Sequence, residues 1–238
     1  MFETCTTFDL DSNPPSLVIL GMGAIEQHSH HLPISTDFDI ASALARAVSE
    51  RLQAFSLPTL PFSESLVHRG FRGTVYLHSH SLRSVIQDIA ESLGEWKVPY
   101  LAILNCHGGN YTLIPTIREW NLEAKLPHLL HIEVYTGLSE EMGQNLHACE
   151  IETSLMLYLK PESVRMDRTI DFVPPHPRSD LSHFSMKALS PEGVWGYPSK
   201  ATAEKGKRFF GTLVEYCTER IQSLQRAYEK RDLNRFME

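Results

Sequence analysis

Residues 17–39 read LVILGMGAIEQHSHHLPISTDFD, and the groups at the exit of its apolar run decide the fold. The segment SLVILGMGAI is short and apolar. Pro14-Pro15 precede it and polar residues succeed it, so it predicts a buried strand. The strand leaves directly into Glu26, Gln27, His28, Ser29, His30 and His31, and the stretch closes on Asp37 and Asp39. Groups that hold a metal or move a proton are concentrated where one hydrophobic strand ends.

The rest of the chain repeats the alternation. Residues 39–55 have helical period, with Ile40, Leu44, Ala47, Val48 and Leu52 on one stripe. LPTLPF fits a short strand or a loop. Residues 81–96 predict a helix capped by Ser81, with Gly94 near its end. PYLAILNC predicts a second buried strand, YTLIPTIREWNLEA a helix, and HLLHIEVY a third strand. HACEIETSLMLYLKP predicts a helix ended by Pro161, and residues 202–230 a long amphipathic helix. Apolar strands alternating with helices predict an α/β fold, a mainly parallel sheet with helices on both faces. Residues 160–200 have weak periodicity and several prolines, and are expected to form a functional loop or lid. The 238 residues suffice for one sizeable core, and 1–238 is expected to be a single domain.

Composition excludes several classes of function. A net charge of −7 with dispersed Lys and Arg argues against a nucleic-acid partner. The run Leu17–Leu20 is far too short to cross a bilayer, and no secretory leader is apparent. Cys5, Cys106, Cys149 and Cys217 form no C-x-x-C pair, which fits a reduced, cytoplasmic setting.

In such sheets ligands sit beyond the carboxyl ends of the strands. One strand exits into Glu26-Gln27-His28, another into His107-Gly108-Gly109-Asn110. Two residues apart in extended chain, Glu26 and His28 point to one side with Cα atoms about 6.6 Å apart, as ligands of one metal or of two neighbours would. Asp37, just before a helix, fits either a ligand or a helix cap. Asp39 is expected as an exposed first-turn carboxylate. His107 fits a ligand or a buried histidine satisfied by a carbonyl, and glycines after it let backbone approach closely. On a helix Glu150 and Glu152 face about 200° apart. Glu152 shares the stripe of Leu155, Met156 and Leu159, so it points inward, where a carboxylate calls for a cation. His147 is expected in the loop before that helix, as a proton donor or acceptor or as a histidine bonded only to backbone. His30, His31, His68, His78 and His80 are read as surface or supporting residues. Cys106 and His107 point to opposite faces, which disfavours a thiol nucleophile. GMGAIE lacks the third glycine of a dinucleotide fingerprint.

Five blocks, LGMGAIEQHSHHLPISTD, HRGFRGT, NCHGGN, HACEIETSLML and EGVWGYPSKATAEKG, together resemble the creatininase family of metal-dependent amidohydrolases. They occur in the family's order from about residue 17 to 206. The resemblance implies a three-layer α/β/α fold and a site for one or two divalent ions, Zn, Mn or Fe. It makes Glu26, His28, Asp37 and His107 metal ligands, Asp37 bridging. Glu152 matches a later acidic residue, a catalytic or ligating carboxylate, and His147 a catalytic histidine. Members are often hexamers, so a homo-oligomer is implied, with a small-molecule substrate. Creatinine-hydrolysing members carry an aromatic-Glu pair after the third-block histidine, and that Glu is a ligand. Here Gly108-Gly109 stand instead, which leaves Glu152 as carboxylate for a second ion. The Gly-Gly form resembles members that deformylate a ribosylated pyrimidine or cleave a modified peptide. Ser29-His30 replace the usual Gly-Pro, Cys106 and Cys149 stand where Gly is usual, and Arg72 where Pro is usual.

The resulting expectation is hydrolysis of a non-peptide C–N bond, a cyclic amide or formamide, by a metal-activated water. His147 is expected to deliver a proton to the leaving nitrogen, and Trp195 and Tyr197 either to close over the substrate or to pack. The alternatives are a peptidase that trims a small modified peptide and a non-catalytic metal-binding member.

Overall fold

The computed structural model describes residues 4–230; the ends of the expected 1–238 domain lie outside the described residues. In chain order the elements are α1 (Thr7–Ser12), β1 (Leu17–Met22), α2 (Thr36–Leu52), β2 (Phe55–Ser56), α3 (Ser79–Glu95), β3 (Tyr100–Asn105), α4 (Leu113–Leu122), β4 (His128–Glu133), α5 (Ser139–Met142), α6 (Glu150–Leu159), α7 (Met186–Leu189) and α8 (Ala203–Lys230). The strands form one parallel sheet in the order β2-β1-β3-β4.

Alternation along each strand builds two cores. Leu17 and Ile19 of β1, Ala102 and Leu104 of β3, and Leu130 and Ile132 of β4 face α2, α6 and α8. Val18 and Leu20, Leu101 and Ile103, and Leu129 face α3 and α4, against Leu82, Ile86, Leu113 and Trp120. A side chain buried on either face must be apolar, which is why these strands read as continuous hydrophobic runs. The chain is thus a three-layer α/β/α fold, as expected.

One open alternative is decided and two local expectations are corrected. β2 pairs with β1 at Phe55–Ser56, just before LPTLPF, which is mostly loop. α3 begins at Ser79, not after a Ser81 cap; His78 occupies the cap position and caps with backbone only. Asp39 is buried, not exposed: the Ser35 hydroxyl donates to it at 2.8 Å and Lys160 forms an ion pair with it. Residues 160–200 form a chain of short turns carrying α7, with Pro161 ending α6. Among the described residues no helix is long and apolar enough to cross a membrane.

Candidate metal centre

The carboxyl edge of the sheet gathers the predicted residues. β1 ends at Met22, so Glu26 and His28 lie in the loop beyond it and not in extended strand. That loop is tied by Glu26 N–H to the Ile34 carbonyl and Gln27 N–H to Thr74 Oγ1. Gly23 lets α2 start directly above this loop. A Cβ there would lie 2.5 Å from Phe38 backbone, so only glycine lets the first turn of α2 bring Asp37 down to the site. Asp37 does not cap α2; its carboxylate points away, to two histidines.

Distances define the centre. Asp37 Oδ1 is 3.2 Å from His28 Nε2, and Oδ2 is 3.0 Å from His107 Nδ1. Glu26 Oε1 lies 3.4 Å from His107 Nδ1 and 3.7 Å from His147 Nδ1. Glu152 Oε1 is 3.8 Å from His28 Nε2. Glu26, His28, Asp37, His107, His147 and Glu152 are all buried. Three sets have ligand atoms within 4.8 Å of one another: Glu26, Asp37 and His107; His28, Asp37 and Glu152; Glu26, His28 and His147. Asp37 joins the first two sets, as a bridging carboxylate would.

Each of the three imidazoles sets one nitrogen against a backbone carbonyl and turns the other toward the carboxylates. His28 Nδ1 donates to the Glu26 carbonyl at 3.2 Å, and Nε2 faces Asp37, where a bound ion would replace its proton. His107 Nε2 lies 3.3 Å from the Glu64 carbonyl and Nδ1 3.0 Å from Asp37 Oδ2, so an ion that takes Nδ1 would leave the remaining proton on Nε2 for Glu64. His147 Nε2 donates to the Gln27 carbonyl at 2.8 Å. The Gln27 amide nitrogen also lies 3.0 Å from this Nε2, but the shorter approach to a group that only accepts decides the assignment. Nδ1 of His147 therefore carries the free lone pair. Histidines that bind metals characteristically donate their second nitrogen to a carbonyl or carboxylate.

Do these residues fit a cation? Both Glu26 carboxylate oxygens and His28 Nε2 are sealed from solvent without a hydrogen-bond partner. Burial works to lower His28 and His107, yet Asp37 on the first and Glu26 on the second raise both well above the ordinary histidine value. Burial works to raise Glu26, yet His107 beside it holds it well below the usual carboxylate range. The cluster calls for positive charge, and divalent ions on the nitrogen and oxygen atoms would supply it. The set is mixed N/O, suited to Zn, Mn or Fe. Burial, then His28, push His147 down, so it is neutral near pH 7.

His68, read from sequence only as a surface or supporting residue, is buried inside the centre. Ser29 N–H donates to Gln27 Oε1 at 2.9 Å, which fixes the amide orientation. The Gln27 amide nitrogen then donates to His68 Nδ1 at 2.9 Å, and His68 Nε2–H faces Glu26 Oε1 at 3.3 Å. Burial pushes His68 down to about 3, so it acts as a neutral donor. No periodic pattern surrounds it in the sequence; only its place in HRGFRGT marked it. His31 is buried against Thr153, His30 pairs with Glu192 at the surface, and His78 and His80 are not buried. Cys106 is buried and burial raises its thiol well above its ordinary value, which rules against a nucleophile.

Glu152 faces inward as its helical stripe predicts, and its Oε2 accepts from Cys149 N–H at 3.4 Å. Glu150 faces away and pairs with Lys205 at 2.7 Å. Trp195 and Tyr197 do not line the centre. Trp195 is buried and exchanges backbone hydrogen bonds with His147, at 2.8 and 3.1 Å, while Tyr197 donates to Gln144. They hold the His147 loop.

A cavity of about 80 Å³ opens on the centre, roughly five to eight water-sized volumes. The loop of residues 160–200 contributes Arg178, Leu181 and Met186 to its wall, and the turn after β4 contributes Tyr135.

Comparison with known proteins bears on the family and the fold. The family model described as "Creatininase: Creatinine amidohydrolase" matches residues 3–221. The chain is 31% identical over 236 residues to the mycofactocin precursor peptide peptidase of Mycobacterium ulcerans, covering 92% of this chain and 89% of that protein. It is 26% identical over 234 residues to the creatinine amidohydrolase of Pseudomonas putida, covering 86% of each. A solved structure of a mutant creatininase described as "Zn-Zn type" superposes with a TM-score of 0.80 at 22% identity, over 93% of this chain and 96% of that one.

Proposed function

The chain belongs to the creatininase family of amidohydrolases, and from that premise we propose that it is a metal-dependent hydrolase of a non-peptide C–N bond, a cyclic amide or formamide. One observation carries this: three buried carboxylates and the imidazoles of His107 and His147 line a cavity large enough for an amide group, His28 meets Asp37 beside it, and Glu26 and His28 atoms have no hydrogen-bond partner. Glu26, Asp37 and His107 would hold one divalent ion; His28, Asp37 and Glu152 would hold a second. Related creatininase structures are described with zinc and with manganese, so the candidate ions are Zn, Mn or Fe. Bound there, the ions would polarise the scissile carbonyl and lower the pKa of a water toward about 7.

The protein's own groups do the rest. His147, neutral and held by the Gln27 carbonyl, presents Nδ1 to the cavity. It takes a proton at that atom as water attacks and returns it to the leaving nitrogen. Gln27 holds His68, whose Nε2 faces Glu26 Oε1 at 3.3 Å. Met142, Leu146, Leu181 and Met186 give the cavity an apolar wall that limits water. The substrate is a small molecule, and we place the protein in the cytoplasm as a homo-oligomer, a hexamer by family resemblance, without nucleic-acid or membrane partners.

A second reading is trimming of a small modified peptide, favoured by the peptidase name of the 31% identical relative. Zinc-loaded protein incubated with cyclic amides, formamides and short peptides, with products identified by mass, separates the two. Ring opening or formate release supports the first; release of amino acids or a shortened peptide supports the second. Metal bound stoichiometrically with no turnover of any class would leave a binding protein.

A further inference from the structure

We infer that the phenol of Tyr135 is the hydrogen-bond donor that receives the substrate's carbonyl oxygen as its carbon becomes tetrahedral. This rests on the hydrolase function proposed above. Tyr135 lies in the turn Val134–Leu138 immediately after β4, at the same edge of the sheet from which β1 and β3 deliver Glu26 and His107. It lines the cavity together with Glu26, Asp37, His107, His147 and Glu152. It also lines the adjoining groove that runs past Gly108, Tyr111 and Ile114, so it stands where a substrate would enter.

Its hydroxyl is sealed from solvent and has no hydrogen-bond partner among the described residues. Folded proteins rarely leave a buried hydroxyl unpaired, and one beside reactive groups points to a ligand that completes it. The neighbouring carboxylates are engaged elsewhere: Glu152 with Cys149 N–H and Asp37 with two histidines. Arg178 and Tyr111 line the wall on the side of the groove, and the imidazole donors beside the carboxylates are spent. His107 and His147 turn their Nε2 atoms to backbone carbonyls, and His68 faces Glu26. Tyr135 keeps its proton unspent beside them. A neutral phenol, with an ordinary pKa of about 10, donates throughout the working range. A donor already fixed where negative charge develops costs no reorganisation during the reaction.

The test uses the full zinc-loaded chain and its Tyr135→Phe variant, with methylphosphonate as a tetrahedral oxyanion probe and acetate as a planar one. Calorimetry gives both affinities, with zinc content and Tm measured beside them. We expect Tyr135→Phe to weaken methylphosphonate about tenfold or more, to leave acetate and zinc content unchanged, and to keep or raise Tm. Unchanged methylphosphonate affinity would overturn the role. So would a lower Tm with both probes weakened alike, which marks a structural phenol. Zinc-loaded wild type that fails to bind methylphosphonate would refute Tyr135 alone; wild type that holds no metal would refute the proposed hydrolase itself.

Discussion

His28 Nε2 lies 3.2 Å from Asp37 Oδ1, and this contact joins the exit of β1 to the first turn of α2. The other Asp37 oxygen reaches His107 at the exit of β3. One carboxylate therefore belongs to both candidate ion sites, while Glu152 belongs to one. Asp37→Asn is expected to remove most of both ions, taking content from about two per chain to well below one. Glu152→Ala is expected to remove about one and to leave the set of Glu26, Asp37 and His107 filled. Metal analysis after dialysis checks this; equal losses in the two variants would contradict the bridging role.

Much of this is legible in the sequence. Strand–helix alternation follows from burial of both sheet faces, and the inward turn of Glu152 follows from its helical stripe. The failures share a cause: the deciding contact comes from a distant part of the chain. Asp39 sits in a first turn that looks solvated, but Lys160, beyond α6, folds back on it. Trp195, in a glycine-containing loop, fits closing over the substrate or packing, and only its backbone pairing with His147 decides for packing. His68 and Tyr135 occupy short turns without periodicity, and only the packing of the sheet edge shows what they face.

The glycines after His107 yield a second prediction. A Cβ at Gly109 would collide with His107 Nε2 and lie 2.8 Å from the Glu64 carbonyl. These atoms form the contact that would keep the remaining His107 proton on Nε2 when an ion takes Nδ1. Gly109→Ala must turn the ring or break that contact. Losses of this kind weaken metal affinity about 10- to 100-fold. Competition against a chelator reads it directly, and an unaltered affinity would mean that His107 is not a ligand.

His68 is expected to act on affinity through Glu26. Its Nε2–H is a neutral donor 3.3 Å from Glu26 Oε1, and Gln27 holds its other nitrogen. His68→Ala removes the donor and leaves the Gln27 amide short of an acceptor. Metal affinity is expected to fall about tenfold or more, with a lower Tm for the metal-free protein as well. Loss of Tm with full affinity would mean that His68 only fills space.

His147 is assigned to proton transfer and not to holding the ions. His147→Ala is expected to lower kcat about 100- to 10,000-fold on whichever substrate the screen identifies. Metal content should change little, because Glu26, Asp37 and His107 remain. The neutral form is the active one, so on the acid side kcat/KM should fall only below the ordinary histidine value of about 6.5, as burial and His28 displace it downward. An acid limb above that value would assign the base to another group.

His31 ties stability to pH without touching the chemistry. Its Nε2 meets the Thr153 hydroxyl at 2.9 Å, and its Nδ1 is buried without a partner. Burial, then the neighbouring His28 and His147, push it down to about 4. The unfolded chain has this group near 6.5. Between those values the unfolded state binds a proton that the folded state refuses, so stability rises with pH across the window. The contribution is complete above about pH 6.5 and is lost as pH falls toward about 4, by at most about 1.4 kcal/mol per pH unit. His31→Gln keeps a carboxamide within reach of Thr153 and cannot titrate. Urea midpoints of chelator-treated protein at about pH 7.5 and about pH 5 should therefore differ less in the variant than in the wild type. An equal drop in both would assign the acid sensitivity to other buried groups.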